Sequence, residues 1–270
     1  MQSITLLPFN DLINEESSVS LNDYPVPTEK DICMVCYTSG TASTPKGAIL
    51  SHENMVSLGT CIKSYIETIG GFTNEDCHLS YLPMAHVFEH FCQFAIFCYG
   101  GRIGFSQGVT AKVVDDISHL HPTFFPSVPR LFTRIVNTVL STTENMGILT
   151  PLVQYAIKQK LLNLHTKNTV THPFFDQLIF SKIRAKVGFD RLRFMVSGSA
   201  PLSSEYMDYL RIFFCCPVIQ GLGLTETAGG ICCSFFQDNS TSGHCGGVIQ
   251  SAEARVSYFS SFFIIVNLCT

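Results

Sequence analysis

Apolar and polar positions along this chain fall into blocks whose lengths suit strands and helices in turn. The run "DICMVCY" from Asp31 has the apolar, β-prone density of a buried strand, and "AILSH" reads as a second, short extended segment. Ser51 can cap a helix over about 53–68 that stops at Gly70-Gly71. "CHLSYL" predicts a strand, "AHVFEHFCQFAIFCY" an apolar helix ending at Gly100-Gly101, and "RIGF" a further strand. Helix is expected over 110–119, extended chain at "TFF", and helix again in "PRLFTRIVNTVL", with Arg130 and Arg134 on one side. Two amphipathic helices follow near 151–165 and 174–187, then strand "LRFMVS", helix "SSEYMDYLRIFF", strand "PVIQ" and the loop "GLGLTETAGG". Alternating strands and helices predict α/β architecture with mostly parallel strands and flanking helices. Residues 1–28 read as a polar N-terminal segment, 29–256 as the folded domain and 257–270 as a divergent apolar tail; no internal repeat or low-complexity linker interrupts them.

Composition narrows the class. Hydrophobic residues make up 46% and charged residues 14%, mean hydropathy is +0.25, and there are 22 Phe and no Trp. That fits buried strands, or a piece whose apolar faces are covered by more protein. The net charge of −4 with no Lys/Arg cluster in the sequence argues against nucleic acid as a partner. Twelve cysteines in a chain of this size, with no basic n-region in "MQSITLLPFNDLINEE", predict reduced thiols facing the cytosol rather than disulfides. Cys33 and Cys36 have zinc-ligand spacing, but on a strand positions three apart face opposite sides. The sequon at Asn239 is expected to be silent without a secretory route, and no run reaches the roughly 20 apolar residues of a membrane span.

Candidate chemistry sits in the loops. "YTSGTASTPKG", Tyr37 to Gly47, combines hydroxyls, small residues that leave backbone N–H groups uncovered, and one lysine, which is the chemistry of a phosphate cradle. It is not a Walker A loop, because Pro45 precedes Lys46, Gly47 follows it, and no helix begins there. Taken alone it reads equally well as a surface turn. Two more glycine-bearing polar loops, "SGSAP" and "GLGLTET", follow predicted strands. In parallel α/β sheets ligands gather at strand carboxyl ends, so the recurrence favours the phosphate reading.

In order, "YTSGTASTPKG", "LSYLPMAHVFEH", "PTFFPSVPRLFTRI", "SGSAPLSSE" and "QGLGLTETAGG" resemble the acyl-adenylate-forming (AMP-binding) superfamily, and within it the long-chain acyl-CoA synthetases. The resemblance runs from about residue 29 to residue 256, and implies a partial large domain of an adenylate-forming enzyme. It implies ATP, Mg²⁺ and coenzyme A as cofactors or co-substrates and a long-chain fatty acid as substrate: the carboxylate attacks the α-phosphate of ATP, and the thiol of coenzyme A then displaces AMP. On this resemblance Thr38, Ser39, Gly40, Thr41 and Lys46 would hold the β- and γ-phosphates, Thr225 the α-phosphate, and Glu226 the Mg²⁺. Thr225, Glu226 and Lys46 would thus be catalytic. Gly198, Ser199, Ala200 and Pro201, with Gly221, Leu222 and Gly223, would line the nucleotide and acyl sites, and His86 would stand near the acyl entrance. The implied location is the cytosol or the cytosolic face of the endoplasmic reticulum or mitochondria, the full-length family member being membrane-associated.

Residue by residue, His86 read without the resemblance is a helix-terminal histidine satisfied by a backbone carbonyl. His86, Glu89 and His90 also spell H-x-x-E-H, a peptidase zinc arrangement, here without a downstream carboxylate motif. Departures from the family pattern are Ala42-Ser43 in place of Thr-Gly and Leu222 in place of an adenine-stacking tyrosine, the latter giving up about 1 kcal/mol of aromatic stacking. The ribose-binding aspartate motif, the hinge and the small C-terminal domain have no counterpart in these residues, so a central fragment, weakly active or inactive alone, is expected. A non-catalytic remnant that binds nucleotide, acyl chain or a partner is the second class of function these departures allow.

Overall fold

A computed structural model describes residues 25–38, 44–254, 256–259 and 262–265. A seven-stranded mixed sheet organises the fold, in the order β4-β3-β5-β6-β7-β8-β9. Its strands are β3 (Cys77–Ser80), β4 (Arg102–Phe105), β5 (Phe124–Ser127), β6 (Phe194–Ser197), β7 (Val218–Leu222), β8 (Cys232–Cys233) and β9 (Gly247–Val248). The first five run parallel, as the alternating pattern predicts; β8 and β9 return antiparallel. Both return strands are two residues long, too short to leave a periodic trace in the sequence.

Side chains leave a strand on alternate faces, and this sheet builds a core on each. Phe125, Met195 and Val218 point into the larger core. It is completed by α3 (Val113–Leu120), α4 (Pro129–Glu144), α5 (Thr150–Lys167), a three-piece helix α6, and α7 (Ser204–Phe214). The α6 pieces are Pro173–Phe175, the π-helical turn Asp176–Phe180 and Ser181–Val187, where regular helix was expected. Phe124, Phe194 and Ile219 point the other way, against α1 (His52–Glu67) and α2 (Val87–Phe97). The Ser51 hydroxyl accepts the Asn54 N–H and the Asn54 side chain accepts the Ser51 N–H, a reciprocal cap that fixes where α1 starts.

One expectation fails here. "ICMVCYT" is a strand, β1 (Ile32–Thr38), but not a buried one: Ile32, Val35 and Tyr37 are exposed, and only Cys36 is fully covered. The reason is topological. Among the described residues β1 pairs only with β2 (Lys46–Ser51), in an antiparallel hairpin outside the main sheet, so Cys36 packs toward α1 while Val35 and Tyr37 stay exposed. The first glycine-bearing loop therefore spans a hairpin rather than leading from a sheet strand into a helix. Past the last motif, β10 (Val256–Phe259) and β11 (Phe262–Ile265) form a second hairpin. Every cysteine among the described residues is free, as expected of reduced thiols.

Candidate functional site

At the carboxyl end of β6 the chain must leave the sheet quickly. The Gly198 N–H donates to the Ser127 carbonyl of β5 at 3.2 Å, and a Cβ at Gly198 would stand 3.3 Å from the Phe88 ring. Ser199 then takes φ +69°, a left-handed conformation uncommon for a residue with a Cβ, and turns the chain out. At the end of β7, Gly223 passes so close to Gly229 that a Cβ there would lie 1.7 Å from the Gly229 carbonyl oxygen; no side chain fits. Between these glycines a tight turn carries Thr225 and Glu226. It is tied by the Leu224 N–H to Thr227 Oγ1 (3.1 Å) and by the Ala228 N–H to the Thr225 carbonyl (3.2 Å).

The hairpin supplies the facing side. Thr38 and Lys46 are register partners, and the Thr38 hydroxyl donates to the Lys46 carbonyl at 3.4 Å, closing the hairpin mouth. Ser39, Gly40 and Thr41, and the variant positions Ala42 and Ser43, lie outside the described residues. Lys46 opens a strand rather than a helix, which agrees with the rejection of a Walker A loop. A small apolar cluster of Cys36, Leu50, Met55, Leu58, Val87 and Ala228 joins this hairpin to α1, to α2 and to the Glu226 turn. The Cys36 thiol also donates to the Ala85 carbonyl at 3.2 Å, beside His86.

These pieces enclose a cleft of about 660 Å³. Thr38, Lys46, His86, Gly198, Ser199, Gly221, Leu222, Gly223, Thr225 and Glu226 all line it, so the residues singled out on three distant loops are brought together. Ala200 and Pro201 are not in the lining; both are exposed where the chain leads on to α7. Among the lining residues Lys46 is the one lysine and Glu226 the one carboxylate, so the cleft holds a cation and an anion. His86 is exposed, and its Nδ1 accepts the Phe88 N–H at 3.1 Å. A neutral ring so engaged carries its proton on Nε2. It thus caps a backbone N–H instead of being satisfied by a carbonyl.

Sequence reasoning missed the apolar wall. Leu58 and Ile62 of α1 and Phe88 and Phe91 of α2, with Val196, Cys232, Cys233 and Ile249, line the deeper part. Their i,i+4 and i,i+3 spacings were readable as helix faces, but not which face met a cavity. Burial pushes the Cys233 thiol up to about 12, so it stays protonated and acts as apolar wall.

Behind α2 lies a buried polar network, in which His78 Nδ1 and Glu89 Oε2 find no partner among the described residues. Glu89 and His78, both fully buried, meet at 3.1 Å; the Gln93 amide donates to Glu89 Oε1 and to the Ser80 hydroxyl, each at 3.0 Å. Burial raises the Glu89 carboxyl, but hydrogen bonds from His78 and Gln93 and the charge of His78 outweigh it and hold the group below its ordinary value. The peptidase-like H-x-x-E-H is thereby dismantled, with Glu89 turned inward while His86 lines the cleft. Among the described residues no group of three or more His, Cys, Asp or Glu is placed to hold a metal, Cys33 and Cys36 included.

The model of the AMP-binding enzyme family matches residues 3–257. The chain is 38% identical over 260 residues to peroxisomal long chain acyl-CoA synthetase 7 of Arabidopsis thaliana, covering 94% of this chain and 35% of that one. It is 37% identical over 244 residues to long-chain-fatty-acid–CoA ligase 6 of Rattus norvegicus, covering 90% and 34%. It therefore spans about a third of the length of the curated relatives it matches. Among solved structures, the N-terminal domain of FACL13 from Mycobacterium tuberculosis superposes with a TM-score of 0.59 at 19% identity, covering 92% of this chain and 51% of that one. O-succinylbenzoate coenzyme A synthetase from Bacillus subtilis, in complex with AMP, superposes at 0.57 and 18%, covering 88% and 39%. These two likenesses show the fold, a mixed sheet with flanking helices.

Proposed function

The chain belongs to the AMP-binding enzyme family, and from that premise we propose that its cleft binds ATP and takes part in activating a long-chain fatty acid to its coenzyme A thioester. The fatty carboxylate would attack the α-phosphate, releasing pyrophosphate, and the coenzyme A thiol would displace AMP from the acyl-adenylate. The observation that carries this reading is the convergence of Lys46, Ser199 and the Thr225-Glu226 turn on one cleft. Displacement at phosphorus concentrates negative charge on the departing phosphates, and fixed donors that meet that charge lower the barrier. Lys46 is assigned to the β- and γ-phosphates together with Thr38, Ser39, Gly40 and Thr41, and Thr225 to the α-phosphate. Gly198, Ser199, Ala200 and Pro201 are assigned to the nucleotide and acyl edge, and His86 to the acyl entrance. The apolar wall, Phe88 and Phe91 foremost, suits the first carbons of an alkyl chain.

Mg²⁺ fits the proposal through Glu226. This cation is usually held by one or two carboxylates plus substrate phosphates, so one exposed carboxylate lining the cleft is a sufficient protein share. The metal would supply charge neutralisation on the phosphate oxygens. The proposed compartment is the cytosol or the cytosolic face of the endoplasmic reticulum or mitochondria, although several relatives carry peroxisomal names.

Calorimetric titration of the chain with Mg²⁺–ATP and with AMP tests the assignment. Lys46→Ala removes a charge-assisted bond worth about 1.5–3 kcal/mol, so ATP affinity should fall roughly ten- to a hundredfold while AMP affinity changes less than about twofold. An equal loss for both nucleotides would remove Lys46 from the pyrophosphate end.

A further inference from the structure

We propose that Lys160 and Cys215 form a redox-sensitive covalent link inside the protein, an S–N bond made when hydrogen peroxide oxidises the thiol and undone by thiol reductants. Neither residue lines the cleft, and the link does not depend on the nucleotide reading.

Three elements meet at this lysine. Lys160 of α5 is fully buried, and its Nζ stands 2.6 Å from Asp176 Oδ1, 3.0 Å from Cys215 Sγ and 4.3 Å from the Phe180 ring centroid. Asp176 opens the π-helical turn of α6, a kind of turn frequent at functional sites. Its Oδ2 accepts the His172 N–H at 2.7 Å, which holds the carboxylate against the lysine. Cys215 ends α7 in a left-handed conformation, φ +54°, just before β7 begins. Its thiol donates to the Ile212 carbonyl at 3.8 Å and accepts from Lys160.

Stability alone does not call for this arrangement, because apolar residues of similar volume often serve as well as a buried ion pair or better. What the pair adds is chemistry. Burial pushes the Cys215 thiol up, while the Lys160 charge beside it pulls back toward the thiolate. Cys216, next in the chain, is fully buried and burial holds its thiol far above its ordinary value. The neighbouring thiols therefore divide into a half-buried sulfur that a small oxidant can reach and a sealed, inert one.

The atoms balance with peroxide as the only co-reactant. Attack of the Cys215 sulfur on hydrogen peroxide breaks the O–O bond, releases one water and leaves a sulfenic acid, which amide-type nitrogens are known to capture as sulfenamides. Asp176 takes one proton from the Lys160 ammonium. The freed amine attacks the sulfenic sulfur, and the hydroxyl leaves as a second water with another of the nitrogen's protons. Sulfur loses two electrons, peroxide gains them, and the former ion pair ends neutral with its proton on Asp176. The nitrogen is already in contact with the sulfur, so no side chain has to be recruited from elsewhere.

Peptide mapping of the 270-residue chain after treatment with hydrogen peroxide, its remaining thiols blocked, tests the link. The peptides holding Lys160 and Cys215 are expected to be joined with the loss of two hydrogens, to resist tryptic cleavage after Lys160, and to separate again in dithiothreitol. Cys215→Ser keeps the Lys160–Asp176 pair and should melt like the parent yet form no link. Cys216→Ala should form it undiminished, which separates it from a disulfide between neighbours. Lys160→Arg keeps a cation but offers a poor nucleophile, so dimedone should trap the sulfenic acid at Cys215. Cys215 recovered as a sulfinic acid beside unmodified Lys160, a Cys215–Cys216 disulfide, or an untouched Cys215 when the exposed Cys33 and Cys98 are oxidised would each overturn the proposal.

Discussion

The two walls of the cleft are anchored differently. Gly198, Ser199 and Gly221 through Gly223 end central strands whose side chains form the larger core, a cluster of 26 buried residues on one face of the sheet. Lys46 and Thr38 belong to a hairpin outside that sheet, held by a cluster of six. A residue on the first wall cannot shift without disturbing the packing of five parallel strands. One on the second is positioned by Cys36, Leu50 and their few neighbours. The difference separates what makes the protein stable from what is proposed to grip a ligand: the wall proposed for the nucleotide and acyl edge is part of the core, and the wall that carries Lys46, proposed to meet phosphate, is an attachment to it.

Emptying the large core is the most forceful way to break this comparison. Phe125→Ala, at a fully buried centre-sheet position, should cost about 3–5 kcal/mol in denaturant unfolding, whereas Leu50→Ala in the hairpin cluster should cost nearer 2 kcal/mol because a small, partly open site can collapse. Leu50→Ala should also weaken ATP binding severalfold. Comparable loss of stability from both, with nucleotide affinity untouched in the hairpin variant, would mean that the two walls form one unit. Amide exchange sharpens the point: Val35 and Ile49 of the hairpin should exchange through local opening, well before Phe125 and Met195 of the sheet.

The network behind α2 sits between the two regimes. Glu89→Gln keeps an acceptor for His78 but loses the charge, and should destabilise by about 1–3 kcal/mol at pH 7. Because the folded carboxyl titrates below its ordinary value, its contribution is complete above the unfolded value of about 4.3 and is lost as pH falls through the lower, folded value. The gap in stability between parent and variant should therefore close in acid; a gap that persists well below pH 4 would show that shape rather than charge is what Glu89 supplies. The smallest effect is expected at the first turn of α1. Ser51→Ala removes one cap and should cost about 1 kcal/mol, read as a modest shift in the denaturation midpoint.

The sequence by itself determined most of the parallel sheet. Strand-length apolar runs such as "RFMVS" and "PVIQ", separated by amphipathic helices, have few other ways to bury their faces, and Gly70-Gly71 and the Ser51 cap mark helix ends through local backbone physics that needs no tertiary context. The three loop motifs were legible too, because glycine, hydroxyl and lysine chemistry is written locally. Only the tertiary structure decided that β1, apolar enough for a core, stands outside the sheet, since burial depends on which strand pairs with it and not on its own side chains. Likewise the fate of Glu89 was set by His78, eleven residues away, on the strand packed beneath α2. Lys160 and Asp176, sixteen residues apart, became a pair because folding brought the two segments that carry them side by side. Charge and cavity are properties of what folding brings within a few ångströms, and one chain's order of residues fixes such distances only once its distant segments have met.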